Sequence, residues 1–196
     1  NNAKKYAPGK PVVLPAYMNY NQADSIAFMD SASVLLADAV IFANGAFHIE
    51  LGESHQMISN EYFPDHTPPM CEGLKAKMYD YYDFIVRYEN LLYDNVTDIT
   101  GDANIWISLG EGASKTGESG KVLTIIKSRQ DEVIIHIINL IGVNDVWRDT
   151  STPPTIKTSF DFKYYTNKSI EGVYMASPDT DNCRLSSQSY YIGRDE

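Results

Sequence analysis

At 196 residues, with 43% apolar and 21% charged positions, the chain is long and apolar enough to bury a core and is not a disordered segment. Sixteen Lys and Arg against 26 Asp and Glu leave a net charge of −10, which excludes nucleic acid as an expected partner because like charges repel. No apolar run approaches the roughly 18 residues of a membrane helix, so no membrane span is expected.

The opening Asn1-Asn2-Ala3-Lys4-Lys5 has neither an initiator Met nor a signal-peptide pattern, and is expected to be a cut. Pro11 to Met18 is a nearly continuous apolar run, which predicts a strand buried on both faces. Asn19 to Gln22 breaks it. Helix is predicted from Ala23 to Ala43, with Ile26, Met29, Leu36 and Val40 on one face, Asp24 or Ser25 as cap, and Asn44-Gly45 as stop. A second strand follows from Ala46 to Leu51. Strand, helix and strand make a parallel βαβ unit. Glu72 to Asp94 reads as another long helix, with Tyr81, Ile85, Tyr88 and Leu92 on its inner face.

From Asn104 the chain is strand-like: 104–109, 122–128 and 133–141 are β-branched runs, and Lys127 to Glu132 marks a hairpin tip. Val133 to Ile138 is apolar on both faces and predicts a central strand, while 155–165, 170–176 and 186–192 alternate like outer strands. The fold class is therefore α/β plus all-β, with a boundary between 1–97 and 98–196 and an antiparallel β-sandwich in the second part.

On the second strand, His48 and Glu50 point to one side and Phe47, Ile49 and Leu51 to the other. An imidazole and a carboxylate in register are costly to bury unless they bond to each other or to a ligand. Gly52 permits a sharp bend, and Glu53, Asn60, Glu61 and Tyr62 add acceptors, an amide and an aromatic face to the following loop. Loops after the carboxyl ends of parallel strands are where such folds meet ligands. A high Tyr count, 14, suits sugar surfaces as well as ordinary sheet edges.

His48, His55 and His66 lack metal-site spacing, so no metal or other cofactor is expected. No Gly-x-Ser-x-Gly elbow or phosphate-cradling Gly loop occurs, and Gly110-Glu111-Gly112 reads as a turn. Cys71 and Cys183 are expected to be free thiols. Asn95-Val96-Thr97 and Asn167-Lys168-Ser169 match the glycosylation sequon, which matters only in a eukaryotic secretory pathway. Glu50 and Glu53 end one strand, whereas glycosidase carboxylate pairs usually come from different strands.

Ala16-Tyr17-Met18-Asn19, Asn44 to Gly52, Asn60-Glu61-Tyr62-Phe63-Pro64, Asp80 to Leu92 and His136 to Gly142 together resemble glycoside hydrolase family 66, the endodextranases and cycloisomaltooligosaccharide glucanotransferases. The likeness runs to about Trp147-Arg148-Asp149. It implies that residues to about Leu92 are the last two βα units of a (β/α)8 barrel and that the rest is the β-domain behind it. It also implies that the Asp nucleophile and Glu acid/base lie upstream, so that no residue here is catalytic and this chain alone is inactive. What carries over is a wall for an α-glucan, dextran or an isomaltooligosaccharide: Tyr17, Asn19, Glu50, Gly52, Glu53, Asn60 and Tyr62. The upstream barrel would be its other partner, and the compartment implied is extracellular or the bacterial cell envelope.

Overall fold

The computed structural model describes residues 3, 6–7, 9–61, 68–146 and 148–193. Tyr62, His66 and Trp147 lie outside the described residues. Strand β1 (Val13–Leu14) pairs in parallel with β2 (Phe47–His48), with Val13 opposite Phe47 and Leu14 opposite His48. Helix α1 (Ser31–Ala43) connects them, so the βαβ unit is as predicted.

The helix starts later than the sequence pattern suggests. Tyr20–Gln22 forms a 3-10 turn, and Asp30, not Asp24 or Ser25, is the cap, its carboxylate accepting from the Ser33 N–H at 2.8 Å. The stop is where expected. Gly45 is left-handed at φ 69°, its N–H reaches Phe42 O at 2.8 Å, and the Ala46 N–H reaches Ile41 O at 3.1 Å. That pair of bonds is the Schellman motif.

Helix α2 (Glu72–Arg87) is capped by Cys71, and it does not continue to Asp94. Tyr88 departs from helical geometry (φ −112°, ψ 23°), and a short α3 (Glu89–Leu92) follows. Tyr88 is held there by its hydroxyl, which donates to Cys183 O at 2.7 Å.

The remaining strands are β3 (Thr97–Asp98), β4 (Asn104–Ile107), β5 (Ala113–Ser114), β6 (Val122–Arg129), β7 (Glu132–Asn139), β8 (Phe162–Tyr165), β9 (Val173–Met175) and β10 (Ser186–Gln188). β6 pairs with β3, β5 and β7, and every residue from Val122 to Lys127 is buried. The central strand is thus β6; β7, expected at the centre, pairs among the described residues with β6 alone and leaves Ile137 40% exposed. Gln130 turns the β6–β7 hairpin with φ 50°. The ladders are antiparallel except β5–β6, which is parallel and departs from the predicted all-antiparallel pattern. β4 pairs with β8 and β9 with β10, in shorter strands than the sequence alternation suggested.

Helix α1 is apolar around its girth because both sides are covered. Val34, Ala37, Ile41 and Phe42 pack with Leu74, Met78, Tyr81 and Ile85 of α2. Leu36, Val40 and Ala43 pack with Leu123, Ile125, Ile138 and Leu140 of the β6–β7 region. Burying a Val, Leu, Ile, Phe or Met side chain fully is worth about 1.5–3 kcal/mol. A third cluster, Ile107, Leu109 and Val122, joins β4 to the start of β6. The architecture is mixed α/β, and the parallel strands form an open pair rather than a closed barrel among the described residues. The first strand is accordingly not buried on both faces: Val13 is 48% and Leu14 40% exposed, and among the described residues β2 is its one neighbour in the sheet.

Candidate functional site

The strand alternation at β2 is as the sequence dictates. Phe47, Ile49 and Leu51 lie on the open side, and His48 and Glu50 are buried. The buried pair faces the helices. His48 Nδ1 lies 2.7 Å from Asp38 Oδ1 on α1 and 3.1 Å from Glu50 Oε2, while Nε2 donates to Ala16 O at 2.8 Å. Tyr82 of α2 donates its hydroxyl to Glu50 Oε1 at 3.1 Å. Thus two strands and two helices are stitched together by one polar cluster.

Its protons can be counted. A carbonyl only accepts, so Nε2 must carry a hydrogen, and a second hydrogen must lie between Nδ1 and Asp38. Burial disfavours the imidazolium, but the hydrogen bonds and charges of Asp38 and Glu50 outweigh it and raise His48 to about 10. Burial pushes the Asp38 carboxyl up to about 8, the Glu50 charge adding to it and the His48 bond opposing it. Among the described residues, Asp38 Oδ2 and Glu50 Oε2 are buried without another hydrogen-bond partner. The Tyr82 hydroxyl is driven up by burial and by the Glu50 and Asp38 charges, so it stays a donor. Asp38, His48 and Glu50 each offer an atom that could hold a cation, but their separations are those of direct hydrogen bonds.

The other predicted site residues divide into two groups. Asn19, fully buried and left-handed at φ 56°, is bonded on all sides. Its amide donates to Asp149 O, its Oδ1 accepts from the Asp30 N–H at 2.9 Å, and its N–H reaches Arg148 O at 2.8 Å. It therefore joins the loop after β1 to the start of α1 and to segment 148–151. Glu50, at 2% exposure, is likewise behind the surface. Tyr17 and Asn60 are half-buried, and Gly52 and Glu53 are exposed, in a turn closed by Gln56 through Gly52 N–H to Gln56 O at 2.9 Å and Gln56 N–H to Glu53 O at 2.8 Å. The loops after β1 and β2 meet where Tyr20 donates to Glu61 Oε1 at 3.2 Å.

Asp38 and Tyr82 were missed by the sequence reading. Asp38 had a signal: a carboxylate on the apolar stripe Val34, Ala37, Ile41 has to find a buried partner. Tyr82 had none, being one aromatic among several on α2. Cys71 and Cys183 are both free; the Cys183 thiol donates to Asp80 O at 3.1 Å and fastens the tail to α2.

The chain is 39% identical over 170 residues to a cycloisomaltooligosaccharide glucanotransferase of Niallia circulans, covering 85% of this chain and 17% of that enzyme. It is 28% identical over 174 residues to a dextranase of Streptococcus salivarius, covering 77% of this chain and 21% of that enzyme. A Paenibacillus cycloisomaltooligosaccharide glucanotransferase, solved in complex with cycloisomaltoheptaose, superposes with a TM-score of 0.80 at 37% identity over 86% of this chain and 24% of that one. The chain thus spans about a fifth of the length of these relatives. The model of glycosyl hydrolase family 66 matches residues 1–196, and the chain belongs to that family.

Proposed function

We propose that this chain is the C-terminal part of a retaining glycoside hydrolase that cleaves α-1,6-glucosidic bonds of dextran. The observation that carries the reading is the open apolar side of the parallel β1–β2 pair. Val13, Ile49 and Leu51 are each 48% exposed there, on a sheet type that is ordinarily covered on both faces. Neighbouring strands of an upstream (β/α)8 barrel are the fitting cover, and residues 98–196 are the β-domain, in our reading a sandwich.

The catalytic Asp and Glu belong to that upstream part. The Asp attacks the anomeric carbon while the Glu gives its proton to the departing O6, and water then releases the glucosyl-Asp ester. This chain supplies the wall. Tyr17, Gly52, Glu53, Asn60 and Tyr62 are the groups to meet glucosyl units, and Asn19 and Glu50 set the loops from behind, since both are buried. In our reading the intact protein works outside the cell or in the cell envelope.

The test is product analysis of dextran digested by the intact protein. Linear isomaltooligosaccharides are expected, and the 196-residue chain alone should give no turnover. Turnover by the chain alone, or none by the intact protein, would overturn the reading; the latter would favour a non-catalytic carbohydrate-binding module. A second reading, the cyclising glucanotransferase, is favoured by the higher identity to that enzyme, 39% against 28%. Cyclic products would establish it.

A further inference from the structure

The β-domain reaches the ligand face of the parallel strands. Segment 148–151 is fastened there through Asn19 N–H to Arg148 O at 2.8 Å, Thr150 Oγ1 to Gln22 Oε1 at 2.8 Å and Ser151 N–H to Asp30 Oδ1 at 3.1 Å. Those bonds make the joint without the Arg148 side chain. That side chain is exposed, yet its guanidinium lies over the Tyr20 ring, 5.3 Å from the centroid. The Tyr20 hydroxyl is in turn fixed by Glu61 from the loop after β2.

We propose that Tyr20, Arg148 and Glu61 form a glucosyl-binding patch to which the β-domain contributes Arg148. The proposal rests on the α-glucan reading above and adds to its wall. A neutral polyol is recognised by an aromatic surface against its C–H face and by charged donors and acceptors on its hydroxyl rim. Here a half-buried ring, a planar fork of N–H donors and a carboxylate come from three separate segments to one place. Two of these stretches, 19–32 and 150–153, also line a groove of about 420 Å³, with Gln22, Ile26, Phe28, Thr150 and Pro153 among its residues. Its size lies within the range of about 300–1,000 Å³ typical of small-molecule sites.

The experiment uses the intact protein carrying Arg148→Met, Arg148→Lys or Tyr20→Ala, assayed on isomaltooligosaccharides of increasing length. Arg148→Met is expected to raise KM about three- to tenfold for long substrates. It should leave kcat within about twofold and the shortest substrates unaffected, as lost ground-state binding requires. Arg148→Lys should recover part of the loss. KM unchanged at every length would overturn the proposal, as would equal losses at every length with a lowered melting temperature, the mark of a joint that only holds the fold. Should the unaltered protein show no turnover, the hydrolase reading fails, and retardation in a dextran-containing gel reads the patch by itself. Weaker retardation of Arg148→Met and Tyr20→Ala than of the unaltered protein would uphold it. Equal retardation, or none, would overturn it.

Discussion

Asp38, midway along the crossover helix, and His48, on the strand that follows, stand 2.7 Å apart with both side chains shut off from water. A polar pair so placed is retained only when its hydrogen-bonding capacity is largely met, and here Ala16, Glu50 and Tyr82 meet most of the rest.

The first prediction concerns protons. Ring-nitrogen NMR should find His48 still doubly protonated at pH 8, since its pKa is raised to about 10 from 6.5. His136, whose pKa burial and the Lys127 charge push down to about 3, should be neutral at pH 5. The signs give the effect on stability. The folded chain keeps the His48 proton that the unfolded chain loses near 6.5, so this contribution is full below 6.5 and lost as pH rises through 10. Asp38 acts in the same direction, its proton being held to about 8 rather than 3.8. Stability from this cluster therefore declines toward alkaline pH, and Asp38→Asn should flatten the decline in a series of melts.

Tyr82→Phe would remove the donor to Glu50 Oε1 while keeping the ring, which meets Phe42 edge-on with centroids 6.2 Å apart. A buried carboxylate oxygen left without that bond costs about 1–3 kcal/mol. Denaturant unfolding should show the midpoint shifted and the slope unchanged.

Asp30 serves two segments, accepting from Ser33 N–H at 2.8 Å and from Ser151 N–H at 3.1 Å. Asp30→Ala should cost about 0.5–2 kcal/mol for the helix cap alone. Asp30→Asn keeps the accepting oxygen and should cost less. Hydrogen exchange at the Ser33 and Ser151 amides would show the loss locally, with both protected in the parent and both faster in Asp30→Ala.

Where the sequence could be read, the information was local. Alternation along 47–51 determined which side chains are buried, Asn44-Gly45 ended the helix, and Lys127 to Glu132 turned the hairpin. What escaped it depends on distant neighbours. The helix starts at Ser31 because Asp30 also answers Ser151, far along the chain. β6 rather than β7 is central because β3 and β5 choose it, a preference that an apolar run does not encode. For the proposed sugar wall, the pattern named residues without telling which of them the fold would bury. Gly52 and Glu53 lie on the surface, whereas Asn19 and Glu50 are spent on holding neighbouring segments.

The covered girth of α1 has a practical reach. Leu36 and Val40 nest against Leu123, Ile125 and Ile138, so the helix that crosses between the parallel strands is also the floor on which the later sheet rests. Anyone exchanging pieces between related enzymes at residue 97 would strip that floor and leave a greasy, water-facing flank on both products. A viable chimera has to carry the helix and the sheet together.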